Sequence, residues 1–306
     1  MGQKSEIVVA GRKLTLSNLE KVLYPVAKFT KSDVIDYYAR IAPVLLPHLK
    51  NRPITLKRYP DGVDGFFFYE KQCPAHRPRW IKTTPVPAQR AGGHIDYCLM
   101  NDLPALVWAA NLADIELHTF LHRAPAIHRP TALAFDLDPG PPADIVRCCE
   151  VAGWLRAIFD ALGLKSFPKT SGSKGLQIYI PLNTATTYEK TKAFARELAE
   201  RLAGEYPDRV VSQMKRSLRP GKVLIDWSQN DEHKTTVSVY SLRAKDRPTV
   251  STPVTWDEIE GARRKKSGKS LVFESRDVLR RVAKLGDLFA PILTLKQRLP
   301  PIPALG

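Results

Sequence analysis

The chain has 306 residues, 43% of them hydrophobic, enough to bury a substantial core in one large domain or two small ones. Its 47 Lys and Arg against 31 Asp and Glu give a net charge of +16, which favours a polyanionic partner over a small neutral substrate. There is no apolar run of transmembrane length and no long basic amphipathic helix, so nucleic acid is preferred to a membrane surface as that polyanion.

From the N-terminus, residues Met1 to Ala10 lack the apolar core of a signal peptide, so a cytoplasmic, reducing setting is expected. Thr30, with Asp33 three residues on, predicts a capped helix start, and the stripe Val34, Ile35, Tyr38, Ile41 and Ala42 continues it until Pro43 kinks or ends it. Pro53 to Arg58 and Phe66 to Glu70 read as two strands about Asp61-Gly62. Lys57, Arg58 and Lys71 flank the aromatic cluster Phe66 to Tyr69, a combination that can stack bases and hold phosphates, although core filling is preferred for Phe66 and Phe67. Cys73, Cys98, Cys148 and Cys149 contain no C-x-x-C pair, and the C-x-x-H of Cys73 and His76 has no second half, so a zinc site is not expected. A helix is expected from Asp102 to about Ala113, then a strand from Asp114 to Phe120 carrying His118, whose bland reading is a structural histidine.

The run Ala132 to Phe135 predicts a buried strand that Pro139-Gly140 ends, with Asp136 and Asp138 on one face. Such a pair can grip a hard cation from a rigid edge; alone, it also suits a solvated acidic turn. Ile145, Val146, Cys149, Trp154, Leu155, Ile158 and Leu162, closed by Gly163, predict a helix, and Thr187 to Ala203, closed by Gly204, another. Between strand-like runs at Leu164 to Pro168 and Leu176 to Ile180 lies Lys169-Thr170-Ser171-Gly172-Ser173-Lys174-Gly175. Its glycines, hydroxyls and Lys174 suit an anion cradle, and a plain Gly/Ser hairpin would look the same. It lacks the Walker A spacing.

Val223 to Asp226 brings a third carboxylate to a strand end. Three such groups around a phosphate cradle suit two divalent ions and attack on a nucleoside triphosphate. Lys215, Arg216, Arg219, Lys222, Lys234 and Arg243 surround Asp226 in sequence; Arg219 and Arg243 are the preferred phosphate partners, while Lys215 and Arg216 read as surface charges. Arg243 follows an alternating run, Thr235 to Leu242. Gly261 to Lys269 reads as a mobile basic loop, Ser275 to Leu285 as a final helix, and 291–306 as a Pro-rich tail. The order of elements predicts an α/β (α+β) fold with a mixed central β-sheet flanked by helices. The expected organisation is one domain over 1–306, with an N-terminal part over 1–125 and a catalytic core over 126–290.

Phe135-Asp136-Leu137-Asp138-Pro139-Gly140, Thr170 to Leu176 and Asp226-Trp227-Ser228-Gln229-Asn230 together resemble the three motifs of the archaeo-eukaryotic primase superfamily, in the form found in the polymerase domain of prokaryotic DNA ligase D. The similarity extends to Lys21-Val22-Leu23-Tyr24-Pro25, Lys31-Ser32-Asp33, Lys57-Arg58, Tyr69-Glu70-Lys71 and Tyr240-Ser241-Leu242-Arg243, and so covers nearly the whole chain. The resemblance implies a primase-like core and an enzyme that adds nucleotides, preferably ribonucleotides, to DNA ends and short gaps in non-homologous end joining. It implies two Mn²⁺ or Mg²⁺ ions held by Asp136, Asp138 and Asp226. Ser171, Gly172, Lys174, Gln177, Arg243 and Lys57 would contact the nucleotide, His118 would lie near its sugar and Tyr69 would stack on its base. Lys21 and Lys31 would grip the 5′-phosphate of the downstream strand, Arg58 would serve the DNA, and Arg219 would sit in a mobile active-site loop. Most members carry histidine where this chain has Gln177, which can donate to a phosphate but cannot become charged. The implied partners are gapped or broken double-stranded DNA with a 5′-phosphate, NTP or dNTP, Ku and a DNA ligase, in a nucleoid-associated cytoplasmic setting. No ligase lysine motif or nuclease metal motif is found, so the chain is a stand-alone protein or a module of a longer one. A gap-filling primase-polymerase of excision-type repair, a D-x-D sugar-nucleotide transferase and a non-catalytic nucleic-acid-binding module are the alternatives.

Overall fold

A computed structural model describes residues 4–88 and 92–301, leaving the last five residues of the Pro-rich tail outside. The chain forms two compact units: Met1–Pro125, Thr235–Ser251 and Glu274–Asp287 make the first, and Ala126–Lys234, Thr252–Phe273 and Leu288–Gly306 the second.

The second unit is built on a five-stranded sheet in the order Phe167–Thr170, Leu176–Pro181, Ala132–Pro139, Val223–Asp226, Val210–Val211. Its pairs are antiparallel except the last, which is parallel, so the sheet is mixed as expected. Alternation along Ala132–Pro139 sends Leu133, Phe135 and Leu137 to one face, where all three are fully buried against Cys148, Cys149, Leu155 and Phe159 of the helix Ile145–Ala161 and against Phe194, Leu198 and Leu202 of the helix Tyr188–Glu205. Each of these large side chains contributes about 1.5–3 kcal/mol by leaving water. The same alternation puts Asp136 and Asp138 on the opposite face.

The first unit holds a six-stranded sheet in the order Thr236–Val237, Asp114–Thr119, Pro53–Arg58, His94–Leu99, Thr83–Pro87, with Phe68–Glu70 also pairing with Pro53–Arg58. The helix Lys31–Leu49 begins with the expected reciprocal cap, Thr30 accepting from the Asp33 amide and Asp33 from the Thr30 amide. Pro43 does not end it: the helix carries both Pro43 and Pro47 inside and closes only at Lys50, because Ile41, Ala42, Leu45 and Leu49 keep one face buried.

Other expectations are corrected by packing. Phe66 and Phe67 are exposed rather than core, at 69% and 46%. Gly204 does not close its helix, which runs to Glu205 with Tyr206 as cap. Of the alternating run Thr235 to Leu242 only Thr236–Val237 is strand, since Tyr240 takes a left-handed φ of 63° that breaks extension. The basic stretch after Gly261 is ordered rather than a loose loop: a helix spans Trp256–Arg264, and Gly268 packs so closely on Ile145 that a Cβ there would stand 2.1 Å from its Cγ2. The helix Ser275–Leu285 is present as expected but is followed by a short one, Pro291–Thr294. Cys73 and Cys98, given no mutual role from their spacing, are joined in a disulfide with Cα atoms 5.0 Å apart; Cys148 and Cys149 are buried. No helix among the described residues is long and apolar enough to cross a membrane.

Candidate active site

In the second unit, strand register lines up four polar residues. Lys169 is opposite Gln177, Gln177 opposite Asp136, and Asp136 opposite Asp226, so all four share one face of the sheet, with Asp138 two residues along from Asp136. Asp136 is held well above the usual carboxylate range, first by burial and then by Asp138 and Asp226, against the Gln177 hydrogen bond and the Lys169 charge, which favour ionisation. Asp226 is engaged locally: its Oδ1 accepts from the Ser228 amide at 2.9 Å and hydroxyl at 2.5 Å, and its Oδ2 accepts from Gln229 at 2.9 Å. Lys234 in turn donates to the Ser228 hydroxyl. Hard oxygen donors crowded until one resists ionisation suit a hard divalent cation. As the side chains stand, however, no three His, Cys, Asp or Glu among the described residues converge on one ion.

The Ser171–Gly175 turn folds against this row. Ser171 is buried; its amide donates to the Gly175 carbonyl at 2.9 Å, and its hydroxyl accepts from the Ser173 and Gly175 amides at 3.2 Å each. Lys174 is exposed, and Gly172 takes a left-handed φ of 68°. Gly175 has no room for a side chain, because a Cβ would stand 2.0 Å from the carbonyl oxygen of Leu137, the residue between the two aspartates. Gly140, at the other end of the D-x-D run, is equally crowded by the Arg219 carbonyl at 2.1 Å. The Arg219 loop is thereby anchored at its base, with the guanidinium donating to the Met214 carbonyl at 2.7 Å.

In the first unit, the register of Pro53–Arg58 places Tyr69, Lys57 and Glu116 in a row, with His118 two residues from Glu116 on the same face. Glu116 pairs with Lys57 at 3.4 Å, Arg243 at 3.3 Å and His118 at 2.9 Å. Burial pushes this carboxyl up, but His118, Arg243 and Lys57 outweigh it and hold it well below the usual range. Burial lowers the pKa of both His118 and Lys57, and Glu116 opposes the change in each. The Lys57 ammonium stands 5.2, 4.7 and 5.3 Å from the rings of Tyr59, Phe67 and Tyr69, and Tyr69, 53% exposed, meets His118 edge-on at 5.9 Å.

Arg58, where the pairing with Asp114–Thr119 shifts register, is bound to Glu70 at 2.9 Å and the Leu112 carbonyl at 2.9 Å. Lys21 pairs with Asp61 at 2.8 Å on the surface, an arrangement worth at most about 1 kcal/mol. Lys31 is 5% exposed and donates to the Ser17 carbonyl at 2.7 Å; burial, then Lys21 and Arg58, lower its pKa to about 8.

Residues 30–289 match the family model of the LigD primase-polymerase domain. The chain belongs to that family. It is 40% identical over 286 residues to the multifunctional non-homologous end joining protein LigD of Mycolicibacterium smegmatis, covering 92% of this chain and 36% of that protein. It is 32% identical over 251 residues to the bifunctional LigD of Bacillus subtilis, covering 82% and 40%. The solved polymerase domain of Mycobacterium tuberculosis ligase D in complex with DNA superposes with a TM-score of 0.85 at 38% identity, covering 93% of this chain and 99% of that one. This LigD primase-polymerase domain thus spans little more than a third of the mycobacterial relative and nearly all of the solved domain.

Two residues of this chain come to the site through the fold rather than through any motif. Lys169, wholly buried with its ammonium 5.6 Å from the Tyr179 ring, is the cation in the carboxylate row; the signal was its place two residues before Ser171 on a strand. Glu116 gathers three of the expected nucleotide contacts, and its signal was the E-x-H alternation with His118.

Proposed function

We propose that this LigD primase-polymerase domain adds nucleotides, ribonucleotides in preference, to DNA ends and short gaps during non-homologous end joining. The observation that carries the reading is the row Gln177–Asp136–Asp226, with Asp138 beside it and the glycine-bounded Ser171–Gly175 turn against it, in a chain of this family. Asp136, Asp138 and Asp226 would hold two divalent ions, Mn²⁺ or Mg²⁺, which when bound make a primer 3′-hydroxyl more acidic and steady the leaving phosphates. Asp226 would turn from Ser228 and Gln229 to serve as a ligand. Ser171, Gly172, Lys174 and Gln177, and likewise Lys57 and Arg243, would serve as donors to phosphate oxygens. His118 faces the sugar, Tyr69 stacks on the base and Arg219 acts from its loop. Arg58, bound to Glu70, steadies the strand that carries Lys57 and lies beside the DNA. Ku and a DNA ligase, as another module or another chain, are the partners, at the nucleoid.

Template-directed extension of a gapped duplex, with each metal and with ATP against dATP opposite T, tests this reading. A hydrogen bond from His118 or Ser171 to the 2′-hydroxyl is worth roughly 0.5–1.5 kcal/mol, so ATP should be favoured by about 2- to 12-fold. Equal efficiency for the two would refute the sugar preference, and the absence of templated addition would refute the function.

Lys21 and Lys31 are proposed to meet the downstream 5′-phosphate. Since Lys31 also ties the helix start to Ser17, Lys21→Ala is the cleaner variant and Lys21→Ala/Lys31→Ala the stronger. In fluorescence anisotropy across salt concentrations, the double variant should bind a 5′-phosphorylated gap more weakly, with a salt slope shallower by about one to two counterions, and bind the 5′-hydroxyl gap unchanged. Equal loss on both gaps would make these lysines general backbone contacts.

A further inference from the structure

We propose that Glu116 is a positioning residue for the incoming nucleotide, gathering Lys57, His118 and Arg243 so that their remaining donors are set for its triphosphate and sugar. The inference rests on the triphosphate reading of this cluster. Its geometry is unusual in one respect: all three groups converge on a single oxygen, Oε2, at 3.4, 2.9 and 3.3 Å. The other oxygen accepts from the Ala244 amide at 3.1 Å, which fixes the carboxylate to the backbone beside Arg243. Tyr24 holds that backbone from the other side, donating to the Arg243 carbonyl at 3.0 Å. Glu116 is 1% exposed, so an arriving phosphate cannot displace it, whereas Lys57 and Arg243 keep 12% and 16% of their side chains open. One carboxylate against Arg243 and a protonated Lys57 leaves the cluster net positive, so it can still accept an anion.

The cluster also sets the charge of Lys57. The groups facing its ammonium are Glu116 across the strand pair, Arg243 and Lys245 from the following segment, and the rings of Tyr59, Phe67 and Tyr69. Burial, Arg243 and Lys245 all favour loss of its proton, and Glu116 opposes them. Removing the carboxylate charge therefore moves deprotonation of Lys57 to lower pH.

The test compares Glu116→Gln, Glu116→Asp and Lys57→Ala in the 306-residue chain, reading KM for ATP and kcat on a gapped duplex between pH 6 and 9, with thermal melting as the fold control. Glu116→Gln should raise KM roughly 10- to 100-fold, as displaced substrate-holding groups do, with a smaller change in kcat. Its alkaline limit of nucleotide binding should move to lower pH. Glu116→Asp, which keeps the charge but withdraws the oxygens by one methylene, should raise KM with that limit unmoved. If Lys57→Ala raises KM while Glu116→Gln leaves KM and the pH profile as they were, Glu116 has no positioning role and the inference falls alone. If Lys57→Ala leaves KM unchanged, the triphosphate reading falls and takes the inference with it. Should Glu116→Gln fail to fold, Glu116→Asp decides by the same KM criterion, an unchanged KM overturning the inference.

Discussion

Alanine at Asp136, Asp138 or Asp226 is expected to abolish nucleotide addition in each case, with loss of about 10³-fold or more, since several kcal/mol of metal-supplied stabilisation goes with any one ligand. The fold should survive, because none of the three fills the helix-covered core formed by Leu133, Phe135 and Leu137. Binding of gapped DNA should persist as well. Asp136→Asn adds a thermodynamic signature. The folded state holds this carboxyl above its ordinary range, so the wild-type chain carries no penalty below that range and loses stability as pH rises through the raised value. In metal-free buffer Asp136→Asn should therefore melt higher than wild type at pH 8, and the gap should narrow as pH falls towards 4. Near-normal extension by any of the alanine variants would refute the metal-site assignment; an Asp136→Asn protein that melts lower than wild type at pH 8 would refute the electrostatic account of the row.

Gly175→Ala should be a severely damaging single-methyl change in the second unit. The added carbon would stand 2.0 Å from the Leu137 carbonyl oxygen and 3.2 Å from its carbon, both backbone atoms of the strand that carries the aspartates. Neither can rotate away, so the turn and the strand must part, at a cost of roughly 1–3 kcal/mol typical of overpacking. The parting falls between Asp136 and Asp138, so activity should drop further than stability does. Gly153→Ala is the matched control: it lies on the exposed face of the helix Ile145–Ala161 with nothing within 4 Å, and should raise stability by about 0.5–1 kcal/mol. Differential scanning calorimetry and gap-filling rates on the two variants check the pair. A Gly175→Ala protein with wild-type melting and rate would show that the turn does not brace the aspartates.

Much of this was legible along the chain because it depends on local periodicity. A two-residue repeat puts Asp136 and Asp138 on one face whatever lies around them, and Thr30 with Asp33 caps a helix using atoms three residues apart. Ser275–Leu285 was likewise readable from local pattern. The features that only tertiary structure decided all involve partners far apart in sequence. Asp226 becomes a neighbour of Asp136 through register across 90 residues, and Lys169 joins them because its strand pairs two places away in the sheet. Phe66 and Phe67 look like core by composition, yet the first unit buries Tyr24, Tyr37 and Tyr38 instead and leaves these two exposed, Phe67 beside Lys57. Pro43 and Gly204 are breakers by propensity, worth up to about 3 kcal/mol and 1 kcal/mol, and burial of the neighbouring apolar faces outweighs both. Glu116 shows the same limit at the site itself: its sequence neighbours announce a half-buried strand, but the convergence of Lys57 and Arg243, 59 and 127 residues away, is set by strand pairing and by the Tyr24 contact that fixes the Arg243 backbone. Propensity and alternation act over a few residues, whereas charge, burial and register act between segments that only folding brings together.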